Sequence, residues 1–195
     1  MGGMLRQARS RIAAFPYPHQ AAFLLDNPVR RAVENPAAAV DTIGLRGNER
    51  VLELGSGAGY FSVEIARRLT TGRLDLLDIQ PQMLQKARRK LARAGYPDVG
   101  LHVGDAASVL PFGDEVFDVA FLAEVIGEVR DQRACLRSLA RVLRPHAVLV
   151  FHEAFPDPDR LTVAQLRSLA EPEGFDFCDA REGRWKDTVR FRKRA

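Results

Sequence analysis

Five short runs recur along the chain: RVLEL (50–54), RLDLLDI (73–79), VGLHV (99–103), FDVAFLA (117–123) and AVLVFHE (147–153). Each is rich in Val, Leu, Ile or Phe and bounded by Gly, Asp or Pro. Short runs that stay apolar without alternating predict strands buried on both faces, and hence parallel. Helical spacing fills the gaps. FSVEIARRL puts Ile65, Ala66 and Leu69 on one stripe. PQMLQKARRKLARAG opens with Pro81, spaces Met83, Leu84, Ala87 and Leu91 helically, and stops at Gly95. RACLRSLARVLRP groups Leu136, Leu139, Ala140 and Leu143 and ends at Pro145. Strand and helix in alternation predict an α/β fold with a doubly wound, mostly parallel sheet and right-handed crossovers.

The ends differ. GFDFCDA (174–180) and KDTVRFRK (186–193) alternate apolar and polar residues around a turn at Gly183, which predicts a C-terminal antiparallel hairpin. Residues 1–45 read as a helical extension interrupted by Pro28 and Pro36, a possible lid within the same domain as residues 46–195. No linker divides the chain, and its 195 residues suffice for one self-sufficient core.

Composition narrows the partners. No run approaches the ~20 apolar residues of a membrane span. The basic start MGGMLRQARSRIAAF has no continuous apolar core, so no secretory signal is expected. The net charge of +4 is scattered over several helices and densest in the tail RFRKRA, the pattern of a solvated surface, which disfavours a nucleic-acid partner. Cys135 and Cys178 lie far apart without metal-ligand spacing. Two reduced thiols, no metal and a cytoplasmic location are expected.

The stretch VLELGSGAGY (51–60) places Gly55, Gly57 and Gly59 behind the first strand and ahead of a helix. Ligands of open α/β sheets bind there, at the carboxyl ends of the strands, where absent side chains admit close backbone approach. A dinucleotide loop needs its third glycine at position 60, which is Tyr60, so a nicotinamide dehydrogenase is disfavoured. Asp78 ends the second strand, where a carboxylate can accept from both ribose hydroxyls. Asp105 follows the third strand, within reach of an adenine amino group, and Glu53 precedes the glycines, close to where an amino-acid ammonium would lie. Three acids at the ends of three successive strands favour an adenosyl ligand.

VLELGSGAGYFS, LDIQPQML, VGDAASVLPFGDEVFDVAF and RVLRPHAVLVFHE together resemble the class I S-adenosylmethionine-dependent methyltransferases over roughly residues 45–155. The resemblance implies a Rossmann-like sheet and S-adenosyl-L-methionine as cofactor. It implies that Glu53, Gly55, Ser56, Gly57 and Gly59 surround the methionine portion. Asp78 is implied on the ribose, Ile79 against the adenine, Asp105 and Ala106 on the adenine ring, and Ala123 beside the methionine. Asp118 matches an acid that is mainly structural. Where many relatives carry Pro-Gly-Gly before the fifth strand this chain has RPHA, which makes His146 a surface turn residue.

The acceptor side is less legible. FPYPHQ offers Tyr17 and His19 for a lid; AEVIGEV after the fourth strand offers Glu124 and Glu128; the fifth strand ends in His152 and Glu153. His102, inside a strand, reads as packed. The chain lacks Asn-Pro-Pro-Tyr, Asp-Pro-Pro-Tyr and a Pro-Cys nucleophile, so a small-molecule methyl acceptor leads. An RNA or protein acceptor and a catalytically silent adenosyl-binding module remain as alternatives, in a monomer or homodimer.

Overall fold

The computed structural model describes residues 35–155 and 157–195. Tyr17, His19 and most of the expected lid lie outside the described residues. The elements run α1 (Pro36–Asp41), β1 (Arg50–Leu54), α2 (Ser62–Arg68), β2 (Arg73–Asp78), α3 (Pro81–Arg93), β3 (Gly100–Val103) and β4 (Phe117–Ala123). A 3-10 turn (Ile126–Glu128) then leads to α4 (Gln132–Val142), β5 (Leu143–Ala154), α5 (Val163–Ala170), a second 3-10 turn (Glu171–Glu173), β6 (Phe175–Glu182) and β7 (Lys186–Lys193). The strands form one sheet in the order β3-β2-β1-β4-β5-β7-β6. Pairing is parallel up to β5 and antiparallel from β5 through β7 to β6.

Both faces of the sheet are covered, which explains the unbroken apolar runs. On one face Leu52, Leu54, Leu149 and Phe151 pack with Leu136 and Leu139 of α4 and Leu166 of α5. On the other, Val51, Leu76, Phe121 and Val150 pack with Ile65 of α2 and Leu84, Ala87 and Leu91 of α3. The stop of α3 follows from its sequence: Gly95 takes φ +91°. That turn lets the Tyr96 N–H donate to the Leu91 carbonyl and the Gly95 N–H to that of Ala92, the paired bonds of a glycine C-cap.

The described part of the N-terminal extension is α1, capped by Asn35, whose Oδ1 accepts from the Ala37 and Ala38 N–H groups. Ala39, Val40 and Ile43 are buried in the α2–α3 layer, and Arg68 of α2 donates to Asp41 and to the Ala37 carbonyl. This segment therefore covers helices and not the strand ends.

Two expectations need correction. The third long helix ends at Val142 instead of Pro145, and β5 begins at Leu143 with no intervening turn. His146 is thus inside a strand, at φ +66°, in the irregularity that shifts the β4–β5 register between Phe117 and Val119. A bulge does the work that a glycine turn does elsewhere. Helix α5 has no counterpart in the sequence reading; at eight residues its periodicity is too brief, although Thr162 and Gln165 form a capping box at its start.

Candidate active site

All three glycines of the loop after β1 have positive φ: +71° at Gly55, +52° at Gly57 and +79° at Gly59. Their reasons differ. A Cβ on Gly55 would stand 2.3 Å from Val125 Cγ2, so the loop passes tightly beneath the turn after β4. A Cβ on Gly59 would meet Ala87 of α3 at 3.1 Å, so this glycine serves helix packing. A Cβ on Gly57 meets nothing within 4 Å, which leaves open space against the middle of the loop.

Asp78 clamps this loop. Its Oδ2 accepts the Gly57 N–H and its Oδ1 the Gln80 N–H, both at 2.8 Å, while the side chain stays nearly buried. Burial lifts its pKa above the ordinary value against those two bonds, which lower it. Glu53 is buried inside β1, and the Ser62 hydroxyl donates to its Oε2 at 2.5 Å. Desolvation pushes its pKa up to about 8, with the Ser62 bond opposing and the Asp78 charge adding to the rise. The hydroxyl of Ser56 is buried and has no hydrogen-bond partner.

The residues expected on the adenine side follow the strands at the carboxyl edge of the sheet. Ile79 directly follows β2 and is 48% exposed. Asp105, exposed beyond β3, accepts the Ala107 N–H at 2.9 Å and closes a local turn. Ala106 packs against the α4 side of the core, and Ala123 ends β4 half-buried. Asp118 is structural: it accepts the Arg50 N–H and pairs with Arg144. His102 is half-buried on the Phe112 ring and faces Asp75 at 3.0 Å. Asp75, fully buried and also bound by Arg50, is the acid that sequence reasoning missed; it ties the three edge-ward strands together far from the glycine loop.

On the acceptor side, Glu124 takes φ +56°, a backbone state that costs a non-glycine residue about 1–3 kcal/mol and gathers at functional sites. Its N–H donates to the His152 carbonyl at 2.8 Å, holding the end of β4 against β5. His152 is buried: its Nδ1 lies 2.9 Å from Thr188 Oγ1 and its ring packs against Phe61 and Phe121. It forms floor, not rim. Glu128 has its pKa pushed up to about 7 by burial, then by Asp157, Asp159 and Asp78. Glu153 is pushed up to about 8 by burial against the bond from the Leu161 N–H, and its Oε1 has no hydrogen-bond partner.

These raised carboxyls have a thermodynamic consequence. Between the ordinary carboxylate range and about pH 8 the folded chain holds protons that the unfolded chain has released, so stability falls as pH rises. We expect the ligand-free protein to melt several degrees higher at about pH 5.5 than at about pH 8.5, with Glu53→Gln flattening the slope. Calorimetric melting across that range, rising instead with pH, would contradict the placement of these groups.

The donors present suit a cationic adenosyl ligand. A buried, reluctantly ionised carboxyl beside the glycines favours an ammonium; the unpaired Ser56 hydroxyl asks for a polar partner; and the open space at Gly57 admits one. No group of acids, histidines and cysteines able to hold a metal occurs among the described residues.

Residues 45–176 match the family described as methyltransferase domain. The ubiquinone/menaquinone biosynthesis C-methyltransferase UbiE of Pectobacterium atrosepticum is 33% identical over 137 residues, covering 70% of this chain and 53% of that protein. Its counterpart in Haemophilus ducreyi is 35% identical over 123 residues, covering 61% and 48%. The chain thus spans about half the length of the curated relatives it matches. Among solved structures, an Aquifex aeolicus SAM-dependent methyltransferase superposes with TM-score 0.83 at 21% identity, covering 91% of this chain and all of that one. The [4+2]-cyclase SpnF superposes with TM-score 0.73 at 18% identity, covering 82% and 81%. The last two show a shared fold.

Proposed function

We propose, from the premise that this chain belongs to the S-adenosylmethionine-dependent methyltransferase family, that it methylates a small organic acceptor at the carboxyl edge of the sheet. The observation that carries the proposal is the clamp between Asp78 and the positive-φ glycine loop, beside the buried Glu53 carboxyl. When bound, S-adenosylmethionine supplies a sulfonium methyl whose bond to sulfur breaks as the bond to the nucleophile forms, the electron pair returning to sulfur.

The chain's own residues bind and orient. Glu53, ionised as it meets a cation, holds the ammonium with Ser56 beside it; Asp78 accepts from the ribose hydroxyls; Ile79 flanks the adenine, and Asp105 with the Ala106 backbone reads its polar edge. Gly55, Gly57, Gly59 and Ala123 give backbone around the methionine portion. Alignment of this kind supplies about 7–11 kcal/mol of the barrier, so no invariant acid–base pair is required. Where the nucleophile sheds a proton, Glu128, with its pKa near 7, and Glu124 are the carboxyls placed after β4 to take it. His152, buried under Phe61, supports the floor.

The relatives' designation as C-methyltransferases favours a carbon nucleophile. A cytosolic setting suits the two unpaired cysteines, of which Cys135 is buried and its thiol pushed up to about 12, hence unreactive. Among the described residues no helix is long and apolar enough to cross a membrane. The test is transfer of labelled methyl from S-adenosylmethionine to a panel of phenolic and hydroxyaryl acceptors. Turnover on a small acceptor is expected. Tight binding of S-adenosylhomocysteine with no transfer to any small molecule, RNA or protein would make the chain a non-transferring adenosyl binder.

A further inference from the structure

Among the described residues, the large hydrophobic side chains left exposed are Ile79, Val103, Val109, Phe155 and Trp185. Four of the five lie at the carboxyl edge of the parallel sheet, and Val109 lies beside Ala134, Arg137 and Arg141 of α4. Ile79 follows β2, Val103 ends β3 and Val109 lies in the loop beyond it. Phe155 follows β5, and the antiparallel register of Ala154 with Lys186 brings Trp185, in the β6–β7 turn, to that same edge. Ile79 and Val103 stand at the β2–β3 end of that edge. Phe155 and Trp185 stand at the opposite end, past Ala123 and Glu124.

Phe155 and Trp185 form a built surface. Their ring centroids are 5.2 Å apart at 50°, so neither ring hides the other. They are 57% and 50% exposed, yet the backbone beneath is fixed: the Phe155 N–H donates to the Trp185 carbonyl at 2.7 Å. Arg160 pairs with Asp187 and joins the chain before α5 to the same turn. The Arg184 guanidinium stands 5.1 Å from the Trp185 ring centroid and brings a positive charge to the rim. A rigid pair of exposed rings costs hydrophobic free energy in water, and such patches mark binding sites.

We propose that Phe155, Trp185 and Arg184 are the acceptor-recognition surface, and that the acceptor is a planar aromatic molecule carrying a carboxylate or phenolate. This rests on the methyltransferase reading and adds the substrate class to it. The acceptor ring packs on the exposed faces and edges of the two rings, and Arg184 pairs with its acidic group. Two rings and one guanidinium are too small a surface for membrane docking, which uses a whole amphipathic helix face or several anchors.

Trp185 is the sole tryptophan in the chain, so its fluorescence reports this patch alone. The experiment titrates full-length protein, saturated with S-adenosylhomocysteine, with 2-naphthoate and with cyclohexanecarboxylate by calorimetry, and follows Trp185 quenching by 4-nitrobenzoate. We expect 2-naphthoate to bind about tenfold or more tightly than its saturated counterpart. Trp185→Ala and Phe155→Ala should each weaken it about tenfold while S-adenosylhomocysteine affinity, the check on folding, is kept. Trp185→Phe should restore most of the binding. Arg184→Gln should weaken 2-naphthoate and leave 2-naphthol unchanged.

Equal binding of the planar and saturated acids, or wild-type affinity in both alanine variants, would overturn the proposal. So would Trp185-dependent capture of phosphatidylglycerol vesicles without 2-naphthoate binding. Failure of the wild type to bind S-adenosylhomocysteine would contradict the methyltransferase reading instead, and the naphthoate titration run without it would still decide the patch.

Discussion

Gly55→Ala is expected to weaken S-adenosylhomocysteine binding about 100-fold while leaving the fold intact. The left-handed backbone at φ +71° costs an L-residue about 1–2 kcal/mol. The new methyl would also stand 2.3 Å from Val125 Cγ2 and 2.8 Å from Cγ1. Valine is branched and stiff at χ1, so it cannot swing aside, and relieving such overpacking costs about 1–3 kcal/mol more. Together these amount to about 2–5 kcal/mol, which the loop escapes by moving away from the turn after β4, and so out of its binding geometry. Gly57→Ala bears only the backbone cost in the ligand-free chain, because nothing lies within 4 Å of its Cβ position. Melting of the ligand-free protein should therefore place Gly55→Ala below Gly57→Ala, with unchanged circular dichroism in both. Equal melting temperatures would show that Val125 does not confine the loop.

Asp78→Ala is the second large effect. The carboxylate both holds the Gly57 and Gln80 N–H groups and is the proposed partner of the ribose hydroxyls. Hydrogen bonds to a charged acceptor are worth about 1.5–3 kcal/mol, which predicts a loss of affinity of about 10- to 150-fold. Asp78→Asn keeps one acceptor oxygen and should fall between. Because Asp78 also holds the Gly57 and Gln80 N–H groups, melting of the ligand-free protein should fall by several degrees with the fold kept. An Asp78→Ala variant that binds as wild type would remove the ribose from this strand end.

The sheet was readable because strands buried on both faces leave unbroken apolar runs, and the helices because α3 begins at Pro81 and stops at Gly95 by simple chemistry. The junction at Leu143 was not. Proline and histidine there spell a turn, whereas pairing with β4 absorbs His146 at φ +66° as a bulge within the strand. Tertiary pairing overrode local punctuation. Glu53, Asp78 and Asp105 were legible from their spacing behind successive strands, and the structure gathers them on one edge. Their environments were not: burial of Glu53 and the Asp78–Gly57 bond depend on which chains pack above them. His152 stood among the acceptor-side candidates from its place at a strand end, but the alternation of β5 turns it inward beneath Phe61. Phe155 and Trp185 meet only through strand pairing across the hairpin, so no local pattern could join them.

Calorimetric titration of the full chain with S-adenosylhomocysteine and with NAD, at about pH 6.5 and about pH 8.5, separates an adenosyl site from a dinucleotide site. S-adenosylhomocysteine should bind at one site per chain, and more tightly at the higher pH, because Glu53 must give up its proton to receive an ammonium. NAD should not compete. Tighter binding of NAD, or affinity for S-adenosylhomocysteine that is absent or falls between those two pH values, would contradict the account.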